Sequence, residues 1–202
     1  MTRHFHSLWQ DRRAATAAEF AFVLPLLTVL LFGIIDGGRF LWECNRAEKA
    51  TQAGVRFAAV TAMVPSSLAA YKFTVGTEVT QVVPGVPVPT SSFESVTCTS
   101  TGCTKTGAGP TPGFSATAWA AILDRMQAMY PAIGTTNFTV TYENVGLGYA
   151  GDPYGPDVSP LVTVKLQGLT FHPITSLLFA TVNMPDFRAS MTLEDGLGTQ
   201  SN

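Results

Sequence analysis

The sequence predicts an α+β protein, in which one long N-terminal helix precedes a small antiparallel β-sheet domain with one further amphipathic helix. Three observations predict it. Ala14 to Ile35 is almost wholly apolar, no proline falls between Gly38 and Val64, and the remainder alternates short Val/Thr-rich runs with Gly/Pro punctuation. Of the 202 residues, 13 % are charged and 46 % hydrophobic, and mean hydropathy is positive, which is too apolar for a small soluble domain and points to a segment that never meets water. The formal net charge of −2 gives no basic excess for a nucleic-acid partner, and none is expected.

The apolar run comes first. At about 1.5 Å per residue it spans about 33 Å as a helix, the hydrocarbon thickness of a bilayer. Pro25 lies within it, and lipid-embedded helices tolerate proline better than soluble ones. A cleavable secretory signal is disfavoured, because Asp36-Gly37-Gly38-Arg39-Phe40 follows with no small-x-small site. Arg12-Arg13 lacks the context of a twin-arginine signal and reads as a topology marker. Arg3, Arg12 and Arg13, opposed only by Asp11, put the N-terminus in the cytoplasm and the rest outside, with the lipid bilayer as partner.

The helix is expected to continue past the membrane as a stalk and to end before Pro65, about 50 residues or about 75 Å in all. Arg39, Glu43 and Arg46 recur on one face, with Arg39 and Glu43 at i, i+4. Cys44, Ala47, Thr51, Gly54, Ala58 and Thr61 form a stripe of slim residues on another. That stripe admits either a neighbouring chain or this chain's own sheet.

Beyond Pro65 the expected elements are a strand-like Tyr71–Val83, a linker at 84–89, a short strand at Phe93–Cys98 and a Gly/Pro loop at 107–113. Ser115–Tyr130 reads as an amphipathic helix, with Trp119, Ile122, Leu123, Met126 and Tyr130 on one face. Phe138–Tyr142 and Leu161–Phe171 read as strands, with a final strand at Arg188–Leu193.

Catalytic chemistry finds little to work with. Of three histidines, His4 and His6 lie in the N-terminal tail, and His172, beside Pro173, reads as a surface residue. There is no G-x-S-x-G and no P-loop, so neither catalytic residues nor a cofactor is expected. Asp152 and Asp157 share a loop but lack the ligand density of a calcium loop, so a plain turn is the preferred reading and no metal is expected. Cys98 and Cys103 lie in a Thr/Ser/Gly-rich stretch. A disulfide closing a very short loop is the preferred reading over free thiols or half a metal site, and it suits an extracytoplasmic compartment. Cys44 reads as a small apolar helix residue.

Glu19 is the informative residue. A carboxylate just inside a membrane run costs a few kcal/mol at the bilayer centre, on the order of insertion scales, and less near an interface, so it ordinarily has a partner or a function. The stretch Arg12-Arg13-Ala14-Ala15-Thr16-Ala17-Ala18-Glu19-Phe20-Ala21-Phe22-Val23-Leu24-Pro25 resembles the leader and anchor of the TadE/TadG-like pseudopilins of tight-adherence (Tad/Flp) pili. The resemblance continues through Leu31–Phe40, with its acidic residue and Gly-Arg pair, and through Ala53-Gly54-Val55-Arg56-Phe57-Ala58-Ala59, and so covers about residues 12–62.

The resemblance implies a minor, TadE-like pseudopilin for assembly of a type IV pilus, since TadG-like relatives carry a longer outer region. Residues 1–14 would be a cytoplasmic basic leader, 15–64 the transmembrane helix and stalk, and 65–202 an extracytoplasmic, pilin-like domain. A prepilin peptidase would cut between Ala14 and Ala15. The family favours glycine before the cut, and Ala14 is the small residue standing there. Glu19 would then be the fifth residue, next to Phe20, and would pair with the new N-terminal amine of a neighbouring subunit. The implied partners are the peptidase, other pilin subunits and the Tad assembly machinery, and the implied location is the bacterial inner membrane, N-terminus inside. The competing readings are an unprocessed anchored binding or adhesin domain and, behind it, a tethered hydrolase.

Overall fold

A computed structural model describes residues 12–177 and 180–199, with side chains from residue 16 onward except Leu177; Arg3, His4, His6 and Asp11 lie outside the described residues. The order is helix α1 (Arg12–Ala59), α2 (Ser66–Ala70), strands β1 (Ser95–Thr99) and β2 (Gly102–Thr106), α3 (Ala116–Gln127), β3 (Phe138–Glu143), β4 (Leu161–Leu166), β5 (Thr170–Phe171), a 3₁₀ turn (Ile174–Leu177), β6 (Val182–Asn183) and β7 (Phe187–Thr192). The long helix, the antiparallel sheet and the further helix are those expected. The chain forms two compact units, residues 1–43 with 170–182, and residues 44–169 with 183–202.

The first unit contains the apolar half of α1. Its side chains from Phe20 to Ile35 point outward on all sides, and Phe20, Phe22, Leu26 and Ile34 are each more than 60 % exposed. Pro25 supplies no N–H for the preceding turn. Nearby, Thr28 donates its hydroxyl to the Leu24 carbonyl at 2.8 Å, so the polar group is satisfied within the helix.

The second unit is a two-layer domain. Its sheet runs β2-β1-β3-β4-β7, antiparallel throughout. The strand period puts Val96 and Cys98, then Phe138, Val140 and Tyr142, then Val162, Val164 and Leu166 on one buried face. The opposite face carries a hydroxyl ladder, in which Thr97 meets Thr141 at 3.1 Å and Thr163 meets Ser190 at 2.8 Å. Residues 44–59 of α1, together with α3, supply the second layer. Ala47, Ala50 and Ala58 are fully buried, and at Gly54 an added Cβ would lie 2.7 Å from Met126 Cγ and 3.7 Å from Val164 Cγ1. At Gly54 the slim stripe therefore packs on this chain's own α3 and β4. Ser115 caps α3 by accepting from Ala118 N, and Trp119 on that helix stacks on Phe138 at 4.1 Å.

Three local expectations are corrected. The helix stops at Ala59, short of Pro65, because the Ala59 carbonyl is taken by Glu194 N (2.8 Å) and Asp195 N (3.1 Å). Tyr71–Val83 is irregular rather than a strand, because its backbone is engaged elsewhere: Phe73 N donates to the Asp157 carboxylate at 2.8 Å and Gly76 N to the Lys72 carbonyl at 2.8 Å. Leu161–Phe171 breaks after Leu166, where Gly168 takes φ +70° and only glycine does so without strain. Gly102–Thr106, to which the sequence pattern assigns no element, pairs residue by residue with β1.

Candidate functional site

Arg12, Arg13, Ala14 and Ala15 lie in the first turn and beyond of α1, so the Ala14–Ala15 bond is flanked by helical backbone. Glu19 and Phe20 follow one turn later, both exposed. Glu19 makes no hydrogen bond or ion pair among the described residues. A carboxylate is thus presented outward at the start of an apolar helix surface that nothing in its own unit covers.

At the other end of the apolar run stands Asp36, whose role sequence reasoning missed. It is 6 % exposed and accepts four hydrogen bonds. Its donors are Ile174 N at 2.7 Å, Thr175 N at 3.0 Å, Thr175 Oγ1 at 2.8 Å and Arg39 Nη1 at 3.1 Å. The carboxylate thereby satisfies the first free N–H groups of the 3₁₀ turn. Arg39 also faces Glu43 at 3.9 Å and lies 5.3 Å over the Phe171 ring, against which Phe40 packs edge-on at 5.4 Å. An acid straight after a span was the visible signal. Its partners lie 138 and 139 residues away, beyond any local pattern.

In the second unit, Cys98 and Cys103 are directly opposed across β1 and β2 and form a disulfide. Cys44 forms none. His172 is exposed beside Pro173. The Asp152–Asp157 loop closes around an ammonium group. Lys72 Nζ donates to the carbonyls of Asp152 (2.5 Å) and Gly155 (2.8 Å) and lies 3.1 Å from Asp157 Oδ1. Asp157 is fully buried, and its other oxygen accepts Phe73 N. A lysine fills the place where a cation was considered. Among the described residues no three His, Cys, Asp or Glu side chains group as metal ligands.

An outward-facing apolar helix, marked by an exposed acid near its start and joined to a disulfide-bearing α+β domain, defines a protein built on a helix long and apolar enough to cross a membrane. Residues 14–56 match the family model of TadE-like proteins, a family of pilus components. The matched segment takes in the Ala14–Ala15 bond, Glu19, Asp36 and the slim stripe as far as Gly54. No curated protein and no solved structure matches the chain.

Proposed function

We propose that the protein is a minor, TadE-like pseudopilin that takes part in assembling a Tad/Flp pilus. It is held in the inner membrane by residues 15–35 with its N-terminus in the cytoplasm, and a prepilin peptidase cleaves it between Ala14 and Ala15. The observation that carries this reading is Glu19, a carboxylate that is exposed and has no partner among the described residues, on an otherwise apolar, outward-facing helix, inside the segment that matches the TadE-like family. In hydrocarbon such a group is costly, and the freed Ala15 ammonium of an adjoining subunit is a partner that removes the cost from both. The bundle of exposed Phe, Leu and Ile side chains around it gives the bilayer, and later neighbouring anchors, a surface to pack on.

The test is the intact mass of the membrane-bound protein from cells that contain the peptidase. A processed chain begins at Ala15, whereas an unprocessed adhesin retains the residues before it. Ala14→Leu abolishes the mass shift by filling the small pocket before the cut. Glu19→Ala leaves the mass shift in place and lowers pilus assembly. Normal fibres from the Glu19→Ala strain sink the pairing role.

A further inference from the structure

In the first unit, Asp36 fixes the depth of a second piece of chain. Along α1 it stands about 26 Å from Glu19, short of the ~30 Å of hydrocarbon that an anchor crosses. A bare carboxylate at that depth is costly. This one is not bare: Ile174 N, Thr175 N, Thr175 Oγ1 and Arg39 Nη1 reach it at 2.7–3.1 Å. Two of those donors are backbone amides of the 3₁₀ turn, 138 and 139 residues further along the chain. Wherever Asp36 lies in a membrane, that turn lies with it.

The chemistry around the turn suits that place. Between Lys165 and Asp186 the sequence has no Asp, Glu, Lys or Arg. Backbone groups beside the turn are satisfied by protein, as lipid requires: Asp36 takes Ile174 N and Thr175 N, Ser176 N donates to the Pro173 carbonyl at 3.1 Å, and β5 pairs with β6. Ile174 and Val182 nevertheless stay 53 % and 45 % exposed. On α1, just past Asp36, Leu41 and Trp42 are exposed as well, and tryptophan is a side chain enriched at membrane–water boundaries.

We propose that the 3₁₀ turn and the β5–β6 pair form a second lipid contact, seated in the headgroup–acyl boundary at the far end of the span, with Ile174 and Val182 on lipid. The contact closes the Asp36 carboxylate off from hydrocarbon and ties the first unit to the bilayer at a second point of the chain. Lipid is the occupant because an uncovered apolar side chain tethered at that depth has acyl chains around it. The inference rests on the membrane anchoring proposed above, and on neither cleavage at Ala14 nor fibre assembly.

The experiment attaches a nitroxide to Ile174→Cys, to Val182→Cys and, as the anchor's control, to Leu26→Cys. Each is made in a full chain carrying Cys44→Ser, with the Cys98–Cys103 bridge intact, in vesicles of phosphatidylethanolamine and phosphatidylglycerol. Collisions of the label with oxygen, which enters lipid, are compared with collisions with a water-soluble nickel chelate. The oxygen-to-nickel ratio at 174 and 182 exceeds that of the same label free in buffer about tenfold, as for a residue about 5–10 Å into the headgroup–acyl boundary. A ratio at either position equal to that in buffer, with Leu26→Cys in lipid, overturns the proposal and leaves the anchor standing. A buffer-like ratio at Leu26→Cys overturns the anchor and the proposal together. Few collisions with either reagent at 174 mark a protein neighbour in place of lipid, and also overturn the proposal.

Discussion

Replacing Lys72 by methionine strips the ammonium from the Asp157 carboxylate, which has no access to water. Asp157 is fully buried and, among the described residues, keeps only Phe73 N as a donor once Lys72 Nζ, 3.1 Å away, is gone. Breaking a buried pair from one side costs about 3–5 kcal/mol. The Lys72 side chain is 39 % exposed, so water reaches part of the gap and the lower end applies, about 3 kcal/mol. Two further losses, the donors to the Asp152 and Gly155 carbonyls, are included in that figure, and both carbonyls sit on half-exposed residues able to recruit water. In an Asp157→Asn background no bare charge is left behind, and the same lysine replacement costs about 1 kcal/mol. The coupling is therefore about 2 kcal/mol. Urea titration of the detergent-solubilised protein reads it through Trp119, which stacks on Phe138 at 4.1 Å and dims or shifts on unfolding. The single variant also lowers Tm by about 6–12 °C at this size. Equal costs in the two backgrounds, or a Lys72→Met cost under about 1 kcal/mol, refute the reasoning.

Tyr142 accepts Val64 N at 3.2 Å inside the core, and burial pushes its hydroxyl up to about 12. The unfolded phenol titrates near 10, so this contribution, about 3 kcal/mol, is complete below about pH 10 and is lost as pH climbs toward 12. Alkaline unfolding curves of Tyr142→Phe are flatter across that window, although the variant starts lower by about 1–3 kcal/mol because Val64 N loses its acceptor. Reducing the Cys98–Cys103 bridge, or replacing both residues by alanine, costs about 2 kcal/mol for so short a loop, visible as a lower urea midpoint with unchanged slope. Asp36→Ala orphans Ile174 N and Thr175 N, and amide exchange at those two positions quickens by one to two orders of magnitude, about 1–3 kcal/mol, while β3 and β4 amides stay protected.

What could be read from the sequence was whatever repeats with a short period. The apolar run and its continuation appeared as α1 over 48 residues, and the 3.6-residue face of Trp119, Ile122, Leu123 and Met126 is the buried face of α3. Alternation in Phe138–Tyr142 gave β3 within one residue. Propensity misled where distant groups captured the backbone. The Val/Thr-rich 71–83 stretch gives its N–H groups to Asp157 and to local turns rather than to a ladder, a tertiary effect that no window average contains. The β2 strand hid in a Thr/Ser/Gly composition typical of loops, and only the paired cysteines hinted that its backbone folds back on β1. At the candidate site Glu19 stood out because a charge in an apolar run is conspicuous. Asp36 looked like an ordinary acid after a span, because its partners come from the opposite end of the chain.

The stop of α1 at Ala59 bears on how the chain is made. The carbonyl that ends the helix is closed by amides of Glu194 and Asp195, and Met63 N by the carbonyl of Gly196, so the helix terminus waits for residues synthesised more than a hundred codons later. The apolar stretch Phe20–Ile35 of the same helix is exposed and is long and apolar enough to cross a membrane without the residues that close its far end. On the proposed reading, insertion comes first and closure of the second unit last, which leaves that unit open to proteases and chaperones during the interval between them.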